Sequence, residues 1–477
     1  MPNVLITGAT GYVGRRLTER LLREPELQVR LLVRNPHKLE DLHSAEAEVV
    51  EGSTFDVDSL AAALKGIHTA YYLIHSMGAG KEYRRLDRQS AENFTSASIT
   101  AGVKRIVYLG GLGDRETASP HLLSRIETGE ILSREPQSIQ TIWLRAAVII
   151  GSGSAGFEMI RHLLQKLPLM ITPRWVSSRT QPIGIEDVLD YLVRSFYLTV
   201  KGNLTVDIGA ESMSFKNMLI EASRVMGLKR YLFPVPFFSP RLSSYWLILM
   251  TPVDFRIARE LVEGLRTETL IRNQNARRWF PDIHPKPYAE AVGQALAEIE
   301  RNQVVSRWCD SSADIECDIR GPDKIEDAVL REVYHEDIGS LSEDIVFDAV
   351  SSVGGDRGWF RHNWLWSLRG RVDKLLRGPG LSRGRRDAER LRPGDSLDFW
   401  KVVDLEPPRR LLLLSQMKLP GKVWLDFGVH DRTLRLTVHF LPRGLAGRLY
   451  WTLAGPIHRF LFPATLRGIV KAARLGP

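Results

Sequence analysis

The chain has 477 residues, which is too long for one ordinary hydrophobic core and predicts two domains. Hydrophobic residues make up 44% of the chain and charged residues 25%, as in globular proteins. The 65 basic residues exceed the 56 acidic ones along the whole chain, so the formal charge of +9 suits an anionic ligand or a membrane surface and indicates no nucleic-acid partner.

Cysteine content and apolar stretches restrict the cell compartment. Cys309 and Cys317 are too few for a disulfide framework, and no histidine stands beside them at a zinc-binding spacing, so we expect a reducing cytoplasm and no metal site. The N-terminus enters a strand at residue 3 without a secretory signal, and the longest apolar stretches are too short or too interrupted to span a bilayer. We therefore expect a cytoplasmic protein, either free or peripheral to the inner membrane face.

The first predicted elements are a strand, a glycine turn and a helix. The apolar run at residues 4–6 predicts the strand, and an amphipathic segment after residue 11 predicts the helix. Glycines between them let the backbone turn tightly and approach a pyrophosphate, while free N–H groups at the helix start face the phosphates. A glycine turn without a ligand is the alternative. The pattern predicts a dinucleotide site formed by Gly8, Thr10, Gly11, Tyr12, Val13 and Gly14.

The spacing of Gly8, Gly11 and Gly14 resembles that of the short-chain dehydrogenase/reductase superfamily. It is similar to the extended and atypical (NmrA-like) branches, and differs from the G-x-G-x-x-G of medium-chain dehydrogenases. The resemblance implies a Rossmann fold that binds NAD(P), with oxidoreductase activity.

The second predicted strand, residues 29–33, ends at Arg34, twenty residues after Gly14. Sites that prefer NAD usually have an acid there for the ribose 2′-hydroxyl, whereas an arginine accommodates a 2′-phosphate. We therefore predict NADP as the cofactor, with NAD as the alternative, and expect Lys38 and Arg15 to add positive charge at the same corner. A solvated arginine at a strand end is the competing interpretation of Arg34.

Two further predicted strands end near polar residues. The strand at residues 48–51 leads to Ser53, where proteins that this chain resembles often have an Asp that contacts adenine. The strand at residues 69–74 ends at His75, and such strand ends face the ligand crevice. We predict that His75 lies beside the nicotinamide ribose. The alternative is that His75 is only a polar residue at the point where the chain leaves the sheet.

A helix predicted over residues 82–101 precedes a fifth strand, residues 105–109, which ends at Gly110. In the superfamily this strand end commonly supplies a catalytic Ser or Thr, and a later Tyr-x-x-x-Lys supplies the acid and the group that lowers its pKa. Gly110 offers no hydroxyl, and His121 and Arg125 have the spacing of the Tyr and Lys. We predict His121 as the proton donor and Arg125 as a group that holds the ribose or an oxyanion. The alternative is that both only position the cofactor and the helix.

We predict that the remainder of the first domain forms a substrate lobe. A strand over residues 141–149 precedes a helix that runs to Lys166, and a segment similar to extended members of the superfamily leads to Asp187, which we predict to cap a helix from Val188 to Tyr197. Aromatic residues at 231–238 and 245–247 indicate core packing or a lipid-facing lid.

A change of pattern at residues 300–325 predicts a domain boundary. Beyond it, strand-like runs at 397–403, 410–417, 423–427 and 434–440 precede a helix at 445–473, which predicts an α+β fold. The phrases at 364–370, 417–421 and 442–447 resemble a bacterial domain of unknown function of START/polyketide-cyclase (helix-grip) type. Six tryptophans of this domain would line an apolar cavity or form the core: Trp359, Trp364, Trp366, Trp400, Trp424 and Trp451. The arginines of one basic loop would be solvated or bind anionic lipid: Arg383, Arg385, Arg386, Arg390 and Arg392.

Together these patterns predict an α/β Rossmann domain over residues 1–310, with a doubly wound parallel sheet, and an α+β helix-grip-like domain over residues 325–477. The first hypothesis is an NADP-dependent atypical short-chain oxidoreductase that transfers hydride to or from an apolar quinone, lipid or isoprenoid. The second is a non-catalytic NAD(P)-responsive sensor or assembly protein, and a third is lipid carriage alone. The patterns predict no oligomeric state.

Overall fold

The computed structural model describes residues 3–39, 47–75, 82–172, 174–234, 263–264, 267–301, 305–306, 325, 328–375, 385 and 391–475. The chain forms an N-terminal unit (1–251 and 256–314) and a C-terminal unit (252–255 and 315–477). Several residues interpreted above lie outside the described residues: Cys309, Cys317, the aromatic residues at 235–238 and 245–247, Arg383, Arg386 and Arg390.

The strands that the structure describes in the N-terminal unit form one large sheet and three two-stranded sheets. The strands are β1 (Asn3–Thr7), β2 (Gln28–Val33), β3 (Ala47–Glu51), β4 (Thr69–Tyr72), β5 (Arg105–Gly111), β6 (Gln140–Ala146), β7 (Ile149–Ile150), β8 (Leu169–Thr172), β9 (Arg179–Thr180), β10 (Ile183–Gly184), β11 (Leu204–Ile208), β12 (Met213–Ser214) and β13 (Tyr231–Pro234). The large sheet has the order β3-β2-β1-β4-β5-β6-β11, and every pair in it is parallel. Successive strands are added on one side of β1 as far as β3, and from β4 onward they are added on its other side. Open α/β sheets bind ligands at such a change in strand order, here between β1 and β4. The predicted doubly wound parallel sheet is confirmed.

The described helices of the N-terminal unit are α1 (Tyr12–Leu21), α2 (Val57–Leu64), α3 (Tyr83–Thr100), α4 (Pro120–Leu132), α5 (Ala155–Lys166), α6 (Ile185–Tyr197), α7 (Phe215–Val225), α8 (Asn275–Trp279) and α9 (Tyr288–Glu300). Helices α1 and α6 pack on one face of the large sheet, and α2, α3 and α4 pack on the other face. Successive side chains of β1 point to opposite faces of the sheet, so they pack in two different hydrophobic cores. Val4 and Ile6 pack with Leu17 of α1 and Leu192 of α6, whereas Leu5 packs in the other core with residues of α2, α3 and α4.

Several predicted elements of this unit differ from the observed ones. The strand predicted over 69–74 ends at Tyr72, so His75 lies three residues beyond β4. β5 continues through Gly111, so Gly110 lies inside the strand rather than after it. The strand predicted over 141–149 is two strands, β6 and β7. Helix α6 begins at Ile185, three residues before the predicted start, so Asp187 lies in its first turn and is not the cap. The Asp187 carboxylate instead accepts the backbone N–H of Lys286 at 3.1 Å. Asp187 therefore ties the later chain to α6.

The C-terminal unit is an antiparallel sheet with a long final helix. Its elements are β14 (Leu330–Asp337), α10 (Glu343–Ser351), α11 (Asn363–Leu375), β15 (Ser396–Leu397), β16 (Trp400–Glu406), β17 (Arg410–Ser415), β18 (Gly421–His430), β19 (Thr433–Pro442) and α12 (Gly444–Leu475). The sheet order is β14-β19-β18-β17-β16-β15. Leu466 and Ile469 of α12 pack in the core with strand residues such as Leu413 and Leu425. The predicted α+β class is confirmed, and the more specific helix-grip assignment stays a prediction.

The strand predicted over 397–403 is broken, because Asp398 has φ +54° in a tight turn between β15 and β16. The predicted tryptophans divide between two environments. Trp359, Trp366 and Trp400 are buried together in the core, with the Trp359 and Trp366 rings 4.8 Å apart. Trp364 is 64% exposed. Trp424 is buried as well, and the partly buried Trp451 packs against the core. The core interpretation therefore holds for these five tryptophans and not for Trp364.

Two further points concern the surface of the chain. Arg385, predicted in a solvated loop, donates to the Ser351 and Val353 carbonyl oxygens, because these oxygens at the end of α10 need donors. Among the residues that the structure describes, no helix is long and apolar enough to cross a membrane.

Candidate active site

The glycine turn after β1 is shaped by close backbone approaches. Gly8 has φ +73°, and a Cβ added there would lie 2.7 Å from the carbonyl oxygen of Leu73, just after β4. A Cβ on Gly14 would lie 2.1 Å from the Gly8 carbonyl oxygen. Only glycine satisfies both the backbone angle and the space at Gly8. The turn therefore brings the start of α1 against the ends of β1 and β4.

The start of α1 suits an anion. Gly11, in an extended conformation, is the N-cap residue and has no side chain to cap the helix. The first turn of the helix contains no acidic residue. Among the described residues, no side chain caps the backbone N–H groups at this positive end of the helix dipole. Thr10 lies half-buried in the turn. This cradle of backbone N–H groups and glycines fits the pyrophosphate of a dinucleotide.

Tyr12 and Val13, also predicted to bind the cofactor, contribute to packing. Val13 packs against the core formed by α1 and α6. The guanidinium of Arg16 lies 5.3 Å from the Tyr12 ring centre, and a Cβ on Gly151 would lie 2.5 Å from the Tyr12 hydroxyl. Burial raises the pKa of Tyr12, with smaller effects of its charged neighbours, so this hydroxyl stays protonated.

The residues predicted for the adenosine end lie at the ends of β2 and β3. Arg34 is exposed one residue beyond β2, and no described acidic side chain pairs with it. The Ser53 hydroxyl accepts the backbone N–H of Phe55 at 3.3 Å, so it stabilises its own turn. The side chain of Lys38 lies outside the described residues.

His75 and His121, predicted separately, are hydrogen-bonded to each other. His75 Nε2 lies 2.9 Å from His121 Nδ1. The other His75 nitrogen, Nδ1, lies 2.8 Å from the Asp87 carboxylate on α3. The Ser124 hydroxyl on α4 donates to the same carboxylate oxygen at 2.9 Å. Asp87, His75 and His121 thus form one chain of hydrogen bonds at the carboxyl end of β4.

An ionised Asp87 accepts hydrogen bonds only, so it fixes the tautomers of both rings. His75 then donates from Nδ1 and accepts at Nε2, and His121 donates from Nδ1. The remaining nitrogen, His121 Nε2, carries a lone pair while the pair of rings is neutral. The chain therefore presents a base in its neutral form and a proton donor in its protonated form.

Burial sets the protonation of this pair. It lowers the pKa of His121 well below the usual value, His75 and Arg125 lower it further, and Asp87 opposes them. Burial also lowers the pKa of His75, against the raising effect of its hydrogen bond to Asp87. His121 lies in the first turn of α4, whose dipole also disfavours the imidazolium. Both rings are therefore neutral at neutral pH.

Arg125 and the glycines of β5 complete the surroundings. Arg125 Nη2 donates to the Leu109 carbonyl oxygen at 2.6 Å, so Arg125 joins α4 to β5 and contributes positive charge near His121. A Cβ on Gly110 would lie 2.3 Å from Trp143 Nε1, and one on Gly111 would lie 2.4 Å from Leu122 Cδ1. A Ser or Thr side chain at either position would therefore have to displace Trp143 or Leu122.

Asp87 and Ser124 were not identified from the sequence. Asp87 shares the buried face of α3 with Ser90, Ala91 and Phe94. An acid at helical spacing among buried positions is the signal that could have identified it, because buried carboxylates have partners. Within the described ranges, no group of His, Cys, Asp and Glu side chains could hold a metal ion.

Two families match separate parts of the chain. Residues 8–138 match the family described as NAD(P)H-binding, and residues 324–465 match a family described as protein of unknown function (DUF2867). The N-terminal unit is therefore an NAD(P)H-binding domain similar to the atypical short-chain dehydrogenases/reductases. The C-terminal unit carries the DUF2867 domain.

Individual relatives are distant. A ceramide reductase of Caulobacter vibrioides is 27% identical over 239 residues, which are 49% of this chain and 73% of that protein. A 3 beta-hydroxysteroid dehydrogenase/Delta 5→4-isomerase of Mycobacterium tuberculosis is 36% identical over 115 residues, 22% of this chain and 30% of that protein. The chain thus spans less than a third of that dehydrogenase.

A solved structure shares the fold. The triphenylmethane reductase of Citrobacter sp., complexed with NADP(H), matches with a TM-score of 0.51 and 20% identity, over 61% of this chain and 99% of that chain. At this identity the match shows the Rossmann-like fold of the N-terminal unit.

Proposed function

We propose that the N-terminal unit is an NADP-dependent oxidoreductase that acts on an apolar quinone, lipid or isoprenoid. The observation that carries the proposal is the hydrogen-bonded Asp87–His75–His121 chain. His75 lies two residues beyond Leu73, and the carbonyl oxygen of Leu73 lies against Gly8 of the dinucleotide cradle. A proton-transfer group and a nucleotide cradle thus meet at the reversal point of the sheet.

NADP(H), when bound, supplies or accepts the hydride. His121 Nε2 accepts the proton of a substrate hydroxyl during oxidation, and the positive charge that forms is shared with His75 and stabilised by Asp87. In reduction the same pair, once protonated, donates a proton to the substrate oxygen. Arg125 disfavours the imidazolium, so the pair releases its proton readily. Asp87 and His75 act through His121 and are positioning residues.

The apolar substrate class is supported by the curated relatives. Their names specify a ceramide and a 3 beta-hydroxysteroid, which are both largely apolar molecules.

The pH dependence of turnover tests this proposal. Reduction of an apolar ketone or quinone requires the protonated histidine pair, so its rate with saturating NADPH should fall as the pH rises through the pKa of the pair. Oxidation of an apolar alcohol with NADP requires the neutral pair, so its rate should rise through the same pKa and level off before about pH 7, because burial holds that pKa below the usual 6.5. Nicotinamide absorbance measures both rates. Two pH-independent rates would contradict the role of the pair.

Cofactor preference gives a second prediction. Arg34→Ala should weaken NADPH binding by about 10-fold to 100-fold and leave NADH binding unchanged, because only NADPH has a 2′-phosphate for the guanidinium. Calorimetric titration of both nucleotides measures this. Arg23→Ala, which removes another exposed arginine of the same unit, is the control. An equal loss of affinity for both nucleotides would show that Arg34 does not bind the 2′-phosphate.

One observation favours a second function. Gly110 and Gly111 carry no hydroxyl where the superfamily commonly has a catalytic Ser or Thr, and the usual Tyr-x-x-x-Lys is replaced by His121 and Arg125. An NAD(P)-responsive sensor or assembly protein needs the cradle but no proton donor. Such a protein would bind NADPH and never transfer its hydride.

A further inference from the structure

The final helix of the C-terminal unit has an exposed apolar stripe. Five large apolar side chains recur every three or four residues along α12, each more than half exposed: Leu445, Leu449, Leu453, Ile457 and Phe460. At 3.6 residues per turn these positions share one face of the helix. Isolated exposed leucines are ordinary, but a continuous stripe of this length usually marks an interaction surface.

Helix α11 carries a second stripe of the same kind. Trp364, Leu368, Val372 and Leu375 follow the spacing of one helix face and are between 41% and 78% exposed. The two helices are neighbours where the ring of His362, just before α11, lies 4.5 Å from the ring of Phe460. Both helices are held in the unit by their other faces, through Trp366 and Leu466 in the core.

The charge of α12 indicates what covers its stripe. The helix contains no acidic residue in 32 positions, whereas it contains Arg448, Arg459, Arg467, Lys471 and Arg474. Arg448 and Arg459 are exposed and lie along one edge of the stripe by helical spacing. Exposed apolar residues bordered by arginines are typical of helices that lie in the surface of an anionic bilayer.

We propose that the stripe on α12, with that on α11, docks the protein on an anionic membrane surface, where the apolar side chains enter the headgroup region and the arginines contact lipid phosphates. The chain would bind peripherally. This surface belongs to the C-terminal unit and does not depend on the proposed oxidoreductase activity.

Co-sedimentation of the full chain with vesicles tests this docking. We expect binding to vesicles of phosphatidylglycerol and phosphatidylcholine, and much weaker binding to phosphatidylcholine alone. The double variant Leu449→Glu/Leu453→Glu should bind the anionic vesicles at least about 10-fold more weakly, because two inserted side chains become charged. Arg448→Ala/Arg459→Ala should lose about fivefold per arginine and lose it only with anionic vesicles.

Val57→Glu is the matched control, because Val57 is 65% exposed but lies in the N-terminal unit. It should bind vesicles as the wild type does. Thermal melting of each variant confirms that the fold is kept. The proposal is overturned by a wild type that binds neither vesicle, or by a leucine variant that binds as well as the wild type. A self-association that the leucine variant abolishes, without vesicle binding, would assign the stripe to a second copy of the chain.

Discussion

Replacing His121 with Gln should lower turnover of an apolar ketone or alcohol by about 10²-fold to 10⁴-fold, the usual contribution of a positioned acid–base group. Glutamine keeps much of the volume of the side chain but cannot gain or lose a proton near neutral pH. The affinity for NADPH should not change, since the cradle is formed by Gly8, Gly11 and Gly14. Steady-state rates and calorimetric binding of NADPH measure the two effects.

The exposed His284→Gln is the matched control and should keep full activity. Asp87→Asn distinguishes positioning from packing, because an amide can donate to His75 Nδ1 and reverse the tautomers of the chain. It should reduce turnover and move the pH profile to lower pH, since Asp87 favours the protonated pair. A His121→Gln protein with wild-type rates would remove His121 from the mechanism.

Gly8→Ala should abolish NADPH binding and destabilise the fold, by about 1–2 kcal/mol for the left-handed backbone and about 1–3 kcal/mol more for overpacking. The added methyl group would lie 2.7 Å from the Leu73 carbonyl oxygen, and backbone on both sides of the contact cannot turn away as a side chain can. Thermal melting and nucleotide titration measure the two losses.

Gly102→Ala separates the backbone effect from the contact. Gly102 has φ +75°, nearly that of Gly8, but no atom lies within 4 Å of its added Cβ. This control should show only the smaller cost and should bind NADPH normally. If both substitutions have the same effect, the close approach to Leu73 is not what shapes the cradle.

The N-terminal fold was predictable because its signals are local. The apolar run of β1, the glycines at 8, 11 and 14, and the amphipathic α1 lie within twenty residues. Parallel strands then alternate with helices, and their topology is restricted by right-handed crossovers. The helix starts were less predictable: Asp187 looks like a cap, but the backbone N–H of Lys286, far along the chain, binds its carboxylate.

The candidate site was predictable in its parts but not in its arrangement. His75 and His121 were identified from a strand end and from motif spacing, yet they are 46 residues apart and nothing local indicates that they bond to each other. Asp87 was missed because a helix interior gives no motif. The tautomers, and hence the role of His121 as a base in its neutral form, follow only from the contact with Asp87.

The C-terminal unit shows a different limit. The final helix was predicted close to its observed bounds, but apolar residues lie on several of its faces. Composition cannot say which of these faces packs against the sheet. The structure buries Leu461, Leu466 and Ile469 and leaves Leu449 and Leu453 exposed. The exposed stripe is therefore a structural finding.

Hydride transfer is the most direct test of the proposed activity. The purified full chain would be incubated with NADPH deuterated at C4 of the nicotinamide, on each face in turn, and with an apolar lipid extract. Mass spectrometry would follow the label. We expect deuterium from one of the two forms in an apolar product, and about 10²-fold to 10⁴-fold slower transfer with the His121→Gln protein. Tight binding of NADPH with all deuterium retained on the nicotinamide would contradict an oxidoreductase and support the non-catalytic sensor.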